Sequence, residues 1–315
     1  MHTQAVDTLI GVTERPVVAV VGPTAAGKSD LAVDLALRVG GEVINADSMQ
    51  LYRGMDVGTA KLSPEEMRGV PHHLLGVWDV RKTASVAEYQ GLARTLLDGM
   101  LARGVTPILT GGSGLYIRAA LDDLEFPGTD PEVRAGLEAE LAEAGPQVLY
   151  DRLSRLDPAA AAAILPSNGR RVVRALEVIE LSGRPFSATM PSYDALYPSV
   201  QIGIEVPRPV LDERIALRVE RMWQAGLVDE VRELARHGLA QGRTASRALG
   251  YAQVLRYLAG EWTEEQAKDE TIRATRRFAR RQESWFRRDP RVVWLRHDSP
   301  ALLERALDTL AGAAR

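Results

Sequence analysis

The stretch VVAVVGPTAAGKSDLAVDLA, residues 17–36, is the feature that most limits how this chain can fold. It opens with the apolar run VVAVV, residues 17–21, which is typical of a buried strand in a parallel sheet. The next eight residues fit the pattern G-x-x-x-x-G-K-[ST]. Apolar residues then recur at helical spacing as far as Val39. A strand, a glycine-bounded loop and a helix in this order predict an α/β fold with a phosphate-binding loop.

The loop has the chemistry that phosphate binding needs. Gly22 and Gly27 allow backbone angles and close approaches that side chains would block, and the N-terminus of the following helix attracts an anion. Lys28 supplies a positive charge, and the hydroxyl of Ser29 can bind Mg²⁺. We expect the diphosphate or nucleotide site to comprise Gly22, Pro23, Thr24, Ala25, Ala26, Gly27, Lys28 and Ser29.

Further strand and helix patterns extend this unit along the chain. Strands are predicted at Glu42–Ala46, Thr106–Thr110, Val200–Val206 and Val292–Leu295, with helical patterns between them. This alternation favours a parallel sheet core flanked by helices. Residues 124–197 are almost entirely helical in pattern and predict an inserted helical domain. The expected organisation is a tail at 1–15, a catalytic core at 16–123 and 198–315, and the insertion at 124–197.

Composition narrows the function classes. The 315 residues include no cysteine, which excludes disulfides and thiolate metal sites. No apolar run approaches the roughly 20 residues that span a bilayer, and MHTQAVDTLIGVTERP lacks the pattern of a signal peptide. We therefore expect a cytoplasmic protein without a membrane partner, and a monomer by default. The net charge of −3 means that nucleic-acid binding requires a local basic patch.

Asp47 follows the second predicted strand, so it should lie at the same sheet edge as the phosphate loop. A carboxylate there could bind Mg²⁺ or act as a general base. It could equally cap the turn that follows, and its spacing does not separate these roles. Gln50 and Tyr52 could serve a nucleic-acid binder, through a base edge and through stacking.

Four blocks, GPTAAGKS, NADSMQLYRGMDVGTAK, TGGSGLYIRA and RRVVRALEVIELSGRP, together resemble the tRNA dimethylallyltransferase (IPP transferase) family. They occur in the family's order, and the resemblance runs from about Val17 to Leu295. It implies transfer of a dimethylallyl group from dimethylallyl diphosphate to N6 of adenosine 37, beside the tRNA anticodon. The diphosphate in the loop would then be a leaving group.

The resemblance also implies roles for individual residues. Thr24, Lys28 and Ser29 match the family's diphosphate-binding positions, with Mg²⁺ on Ser29 as cofactor. Asp47 matches the general base that takes the proton of the adenine amine. Arg218, in ERIALRVERM, matches an arginine that contacts the diphosphate from the far side.

Contacts with the tRNA anticodon stem-loop follow from the same resemblance. The base must be flipped out of its stack to reach the reacting carbon, and the insertion would clamp the anticodon stem. The matching positions are Asp47, Ser48, Met49, Gln50, Ser113, Arg134, Arg170, Arg171, Val172, Val173 and Arg174.

A basic helix predicted at Thr263–Arg288 supports an RNA partner independently of the resemblance. We expect some of its arginines to bind RNA and the rest to pair with the protein's own acids. The stripe of Phe278, Gln282 and Trp285 is expected to lie in the core, and the adjacent His72 and His73 in an ordinary loop. The basic residues are Arg273, Arg276, Arg277, Arg280, Arg281, Arg287 and Arg288.

Other functions are compatible with the loop alone. A small-molecule or nucleoside kinase shares the phosphate loop and the sheet, and residues 124–197 could form its lid. An RNA-binding nucleotide switch would need a hydrolysis apparatus that the sequence does not clearly contain. A prenyltransferase of free adenine nucleotides is disfavoured by the insertion and the arginine-rich segments.

Overall fold

A computed structural model describes residues 15–189 and 193–313. The tail predicted at residues 1–15 therefore lies, except for Arg15, outside the described residues. The chain divides into two compact units. The first comprises Met1–Leu121 and Ala195–Arg315, and the second is Asp122–Asp194. The sequence predicted the insertion at 124–197.

The first unit is built on a parallel sheet, as the sequence predicted. Within the described residues its six strands lie in the order β3-β2-β4-β1-β5-β6, and every neighbouring pair is parallel. The central strand β1 pairs with β4 and β5 and is fully buried. The strands are β1 (Val17–Val21), β2 (Gly41–Asn45), β3 (His72–His73), β4 (Thr106–Gly111), β5 (Ser199–Glu205) and β6 (Val292–Arg296).

The short strand β3 corrects one sequence expectation. His72 and His73 are not ordinary loop residues, because they pair with Val43 and Ile44 of β2. The imidazole Nε2 of His73 lies 2.7 Å from a carboxylate oxygen of Glu42. Two residues are too few to produce an alternating pattern, so this strand depends on its neighbour rather than on its own sequence.

The helices cover both faces of the sheet. Alternate residues of β1 serve two cores: Val17 and Ala19 belong to one apolar cluster, Val18 and Val20 to the other. No described helix is both long enough and apolar enough to cross a membrane. The helices are α1 (Lys28–Val39), α2 (Pro64–Met67), α3 (Val86–Ala102), α4 (Gly114–Leu121), α5 (Pro131–Ala144), α6 (Pro146–Leu156), α7 (Pro158–Ala163), α8 (Gly169–Ser182), α9 (Arg208–Gln224), α10 (Leu227–Arg236), α11 (Tyr251–Leu258), α12 (Glu264–Phe286) and α13 (Leu302–Ala313).

The second unit consists of helices α5 to α8 and has a core of its own. Leu137, Leu149, Leu153 and Leu176 contribute to this core and are almost completely buried. Proline stands in the first turn of α5, α6 and α7, where its missing N–H is not needed. The side chain of Asp130 caps α5 by accepting hydrogen bonds from two backbone N–H groups of its first turn.

Candidate active site

The phosphate loop, Gly22–Ser29, has the backbone conformation that its glycines predicted. The φ angles of Gly22 and Gly27 are 139° and 95°, in a region that residues with side chains rarely adopt. Gly27 is the N-cap residue of α1 and supplies no side-chain cap. The first N–H groups of the helix therefore face the loop without a side-chain partner, which favours an anion at this point.

Lys28 brings its charge into this loop. Its Nζ atom donates a hydrogen bond of 2.7 Å to the carbonyl oxygen of Pro23. Burial, and then the nearby Arg218 guanidinium, lower the pKa of Lys28 to about 8, while the Asp47 carboxylate opposes this shift. Two cations held close together in an enclosed place indicate a site for an anionic ligand.

Arg218 reaches the loop from α9. Its Nη1 atom lies 3.4 Å from the hydroxyl oxygen of Thr24, and Nη2 lies 3.5 Å from the carbonyl oxygen of Thr59. Burial lowers the pKa of Arg218, and the Asp47 carboxylate again acts in the opposite direction. Arg218 is thus brought to two predicted site residues of the phosphate loop, Thr24 and Lys28, that lie about 190 residues away in sequence.

Asp47 lies just beyond the C-terminal end of β2, where the sequence placed it. The side-chain amide of Asn45 holds its backbone, accepting the Asp47 N–H at 2.8 Å and donating to the Asp47 carbonyl at 2.9 Å. The Asp47 Oδ1 atom accepts the N–H of Met49 at 2.9 Å. Among the described residues no group bonds Oδ2, so one oxygen caps the turn while the other is available to a ligand.

A cavity of about 1220 Å³ opens from the phosphate loop. Lys28, Ser29 and Arg218 line it together with apolar side chains that include Leu217 and Met222. Cations beside apolar surface suit a ligand with an anionic head and a short hydrocarbon part.

Four further basic residues line this cavity and were missed by the sequence reasoning. Arg214 and Arg221 stand four residues before and three residues after Arg218, so the helical spacing in ERIALRVERM was a readable signal. Arg53 and Lys61 follow the second predicted strand, and their spacing matches no helix or strand pattern. The four are Arg53, Lys61, Arg214 and Arg221.

Ser29 fits a role as a magnesium ligand. No cluster of three or more His, Cys, Asp or Glu residues that could hold a metal ion occurs in the described part of the chain. Mg²⁺ usually takes few protein ligands and completes its octahedron with phosphate oxygens and water. One hydroxyl at the start of α1 beside a bound diphosphate meets that requirement.

The turn after Asp47 contacts the second glycine-rich segment. The N–H of Ser48 lies 3.5 Å from the hydroxyl oxygen of Ser113, so two positions expected to contact tRNA are neighbours. Gln50 donates to the carbonyl of Thr59 at 3.1 Å and so supports the neighbouring loop. Tyr52 is completely buried, so the expectation that it could stack on a base is wrong.

In the second unit, two arginines expected to contact tRNA form an internal ion-pair cluster. Arg134 and Arg174 both pair with Glu177, whose side chain is fully buried. Burial alone would raise the pKa of Glu177, but hydrogen bonds from the two arginines outweigh it and leave the pKa below its usual range. Arg174 also donates to the carbonyls of Pro127 and Gly128.

The remaining expected contacts of this unit lie on α8. Arg170 and Arg171 are exposed, and Val172 and Val173 are buried in the core of the unit. Arg170 and Arg171 are therefore more open to solvent and to a partner than Arg174, which is partly exposed.

The arginines of α12 differ in their partners. Arg273 and Arg277 pair with Glu270. Arg287, directly after the helix, pairs with Glu205. Arg280 and Arg281 form no ion pair with any described acidic residue. Arg276 donates to the carbonyl of Asp212 at 3.1 Å.

The stripe expected in the core lies there only in part. Gln282 is 5% exposed, but Trp285 is 43% exposed, which contradicts the expectation for Trp285. The indole packs on Gly114, where an added Cβ would lie 2.0 Å from its atoms. A glycine of another segment thus gives the indole a packing surface. Helical spacing within α12 cannot predict such a contact.

Glu230 of α10 organises a wall of the cavity. Its carboxylate accepts the backbone N–H groups of Asp56, Val57 and Gly58 at 3.1, 2.7 and 3.2 Å. The hydroxyl of Tyr251 donates to the same carboxylate at 2.5 Å. An internal anion therefore fixes a loop whose residues 56 and 57 line the cavity.

The parallel sheet and the phosphate loop define a phosphate-loop α/β protein. Lys28, Thr24 and Arg218 give it a cationic site that suits a phosphate ligand. The model of the IPP transferase family matches residues 50–289. The tRNA dimethylallyltransferase of Thermobifida fusca is 70% identical over 295 residues, 92% of each chain. That of Streptomyces coelicolor is 71% identical over 279 residues, 89% of each chain.

Solved structures agree with these sequence comparisons. The tRNA isopentenylpyrophosphate transferase of Bacillus halodurans is 42% identical, with a TM-score of 0.72, and the match covers 96% of this chain and 97% of that one. The chain therefore belongs to the IPP transferase family, in the branch of the tRNA dimethylallyltransferases, which confirms the resemblance found in the sequence.

Proposed function

We propose that the protein transfers a dimethylallyl group from dimethylallyl diphosphate to N6 of adenosine 37 in tRNA and releases diphosphate. The observation that carries this proposal is the meeting of three groups. Lys28 and Arg218 form a cationic pair at the phosphate loop, and the Asp47 carboxylate is close enough to act on the pKa of both. The names of the relatives support the same reaction.

The cationic side of the site acts on the leaving group. As the carbon–oxygen bond breaks, negative charge grows on the diphosphate, and a fixed donor aimed at that oxygen stabilises the transition state. The hydroxyl of Thr24, beside Arg218, supplies the donor, and Lys28 neutralises the phosphate oxygens. Apolar side chains of the cavity hold the hydrocarbon part.

Asp47 acts on the nucleophile. The exocyclic amine of adenine is weakly nucleophilic because its lone pair is delocalised into the ring. The Oδ2 atom of Asp47 accepts a hydrogen bond from this amine and takes the proton as the new carbon–nitrogen bond forms. The Met49 N–H donates to Oδ1 and holds the carboxylate in place for this step, and Asn45 holds the Asp47 backbone by accepting its N–H.

Mg²⁺ would be held by Ser29 and diphosphate oxygens and would neutralise charge on the departing diphosphate. Ser29 stands at the N-terminus of α1, so the helix and the hydroxyl favour the same anionic ligand.

The tRNA must present an unstacked base, so contacts on both sides of the adenosine are required. Residues 47–50 and Ser113 would contact the flipped nucleotide and its neighbours. Arg170 and Arg171 would contact the anticodon stem, since their side chains are exposed. A cytoplasmic location and a monomeric state stay predictions from the sequence.

Label transfer tests this function. The protein is incubated with unmodified tRNA and dimethylallyl diphosphate labelled in the hydrocarbon, and the tRNA is then digested. Label on the adenosine beside the anticodon is expected. A parallel incubation with γ-labelled ATP distinguishes the kinase alternative, because label transferred from ATP to an acceptor would overturn the proposal.

A further inference from the structure

We infer that Gln282 is a positioning residue for the transfer step, acting through the backbone of Thr24. This inference rests on the proposed function. Gln282 lies on the arginine-rich helix α12, 258 residues from Thr24 in sequence. Its Oε1 atom accepts the Thr24 N–H at 2.9 Å, and its Nε2 atom donates to the carbonyl of Gly112 at 2.9 Å.

The surroundings of Gln282 are shaped to hold this amide. Its side chain is 5% exposed, so water cannot easily replace either hydrogen bond. A Cβ atom on Gly112 would lie 2.0 Å from the Gln282 Nε2 atom. Gly112 therefore leaves the space in which the amide lies, and the glutamine joins the phosphate loop to the segment after β4.

The contact determines which group of Thr24 faces the ligand. In a phosphate loop the backbone N–H groups usually point at the anion, but the N–H of Thr24 is already bonded to Gln282. The hydroxyl of Thr24 lies instead beside Arg218, at 3.4 Å from Nη1. Gln282 thereby holds the backbone of Thr24, and the hydroxyl of Thr24 interacts with the leaving group.

The position of Gln282 also connects two functions. It follows directly after Arg280 and Arg281, the arginines of α12 that lack an acidic partner among the described residues. The same helix thus carries exposed cations for a polyanion and a buried amide on the phosphate loop. A misplacement of about 1 Å at a reacting group can lower turnover about 10²-fold, so loss of the amide should affect kcat.

The first test is Gln282→Leu, which removes both hydrogen bonds at similar volume. We expect kcat for prenyl transfer to fall about 10- to 100-fold, with the KM for tRNA changed less than about twofold. The matched control is Gln201→Leu, because Gln201 is 3% exposed in the same unit and its Nε2 atom has no hydrogen-bond partner among the described residues. The control should keep the wild-type kcat. An unchanged kcat in Gln282→Leu would overturn the inference.

A double-mutant cycle with Thr24→Val separates positioning from a general structural role. If Gln282 acts through Thr24, the second substitution has little further effect once the first is present, so the losses are not additive. Additive losses in kcat would overturn the inference. If Gln282→Leu does not fold, the cycle is run with Gln282→Glu, which retains the acceptor for the Thr24 N–H and loses the donor to Gly112.

The proposed function and this inference fail in different ways. Absence of label transfer by the wild-type protein contradicts the proposed function. Active wild-type protein with a fully active Gln282→Leu variant, or an additive cycle, contradicts only the role of Gln282.

Discussion

The two units of the chain treat buried charge differently. In the first unit, Lys28 and Arg218 are enclosed near two carboxylates: Asp47 acts on the pKa of both cations, and Asp30 acts on the pKa of Arg218. In the second unit, the buried Glu177 is paired with two arginines and accepts a backbone N–H as well. The cavity beside Lys28 and Arg218 is lined by six basic and three acidic residues, so positive charge is in excess there. The arrangement in the second unit satisfies its buried carboxylate within that unit.

This difference separates a ligand site from a structural cluster. Enclosed cations that lack enough counter-charge within the protein lower the stability of the free protein. That stability is restored when an anion binds. A satisfied cluster gains nothing from a ligand, and removing one member leaves another buried and unpaired. Substitutions should therefore reduce activity in the first unit and stability in the second.

The largest effect is expected for Asp47→Ala. Loss of a general base typically lowers turnover about 10²- to 10⁴-fold. The free energy of unfolding should fall by only about 1 kcal/mol, because the turn loses the Met49 hydrogen bond to Oδ1 and keeps its two Asn45 hydrogen bonds. Label transfer under saturating substrates gives kcat, and filter binding gives the tRNA affinity, which should stay near wild type. Weaker tRNA binding at unchanged turnover would remove Asp47 from the chemical step.

Glu177→Ala should lower the stability of the protein rather than its turnover. It leaves Arg134 and Arg174 without their shared carboxylate, and breaking a buried pair costs about 3–5 kcal/mol of unfolding free energy. The lower end of this range applies because both arginines are partly exposed.

Urea denaturation measures the loss, with Glu180→Ala as the control because Glu180 is an exposed glutamate of the same helix. Equal stability of the two variants would mean that the cluster is not structural.

Lys28 predicts the pH dependence of anion binding. Because its pKa is lowered to about 8, the free protein loses this charge as the pH rises through about 8, and inorganic diphosphate should bind more weakly above that pH. Calorimetric titrations from pH 6.5 to 9.5 measure the change. Diphosphate itself ionises in this range, so Lys28→Met supplies the correction. If the diphosphate affinities of the wild-type protein and of Lys28→Met change with pH in the same way, Lys28 does not titrate in this range.

The smallest effect is expected on α12. Arg280→Gln with Arg281→Gln should reduce the slope of log K against log salt for tRNA binding by about one to two. The control pair is Arg273→Gln with Arg277→Gln, because these arginines already pair with Glu270. Equal reductions in both pairs would mean that acidic partners do not decide which arginines bind RNA.

Much of the fold could be predicted because its signals are local. The run at Val17–Val21, the glycines of the phosphate loop and the spacing up to Val39 occupy one short stretch, and the structure agrees with the predicted strand residue for residue. The bounds of the four other predicted strands agree with the structure within about one residue at each end.

The features that were missed depend on distant partners. The strand at His72–His73 forms because β2 lies beside it. The indole of Trp285 packs on Gly114 although the residue is 43% exposed. The pairing of Arg134 and Arg174 with Glu177 removes two apparent surface cations. No spacing rule links residues 24 and 282, so the amide contact at the phosphate loop could not be read from the sequence.

Glu230 has a consequence for how the substrate is received. By satisfying three successive N–H groups, it rigidifies residues 56–58 before any ligand arrives. Ordering a loop during association would subtract from the affinity, and here that ordering is already completed during folding. The cavity wall is thus set in advance by a carboxylate from another helix, so capture of the prenyl donor should proceed with little rearrangement on that side.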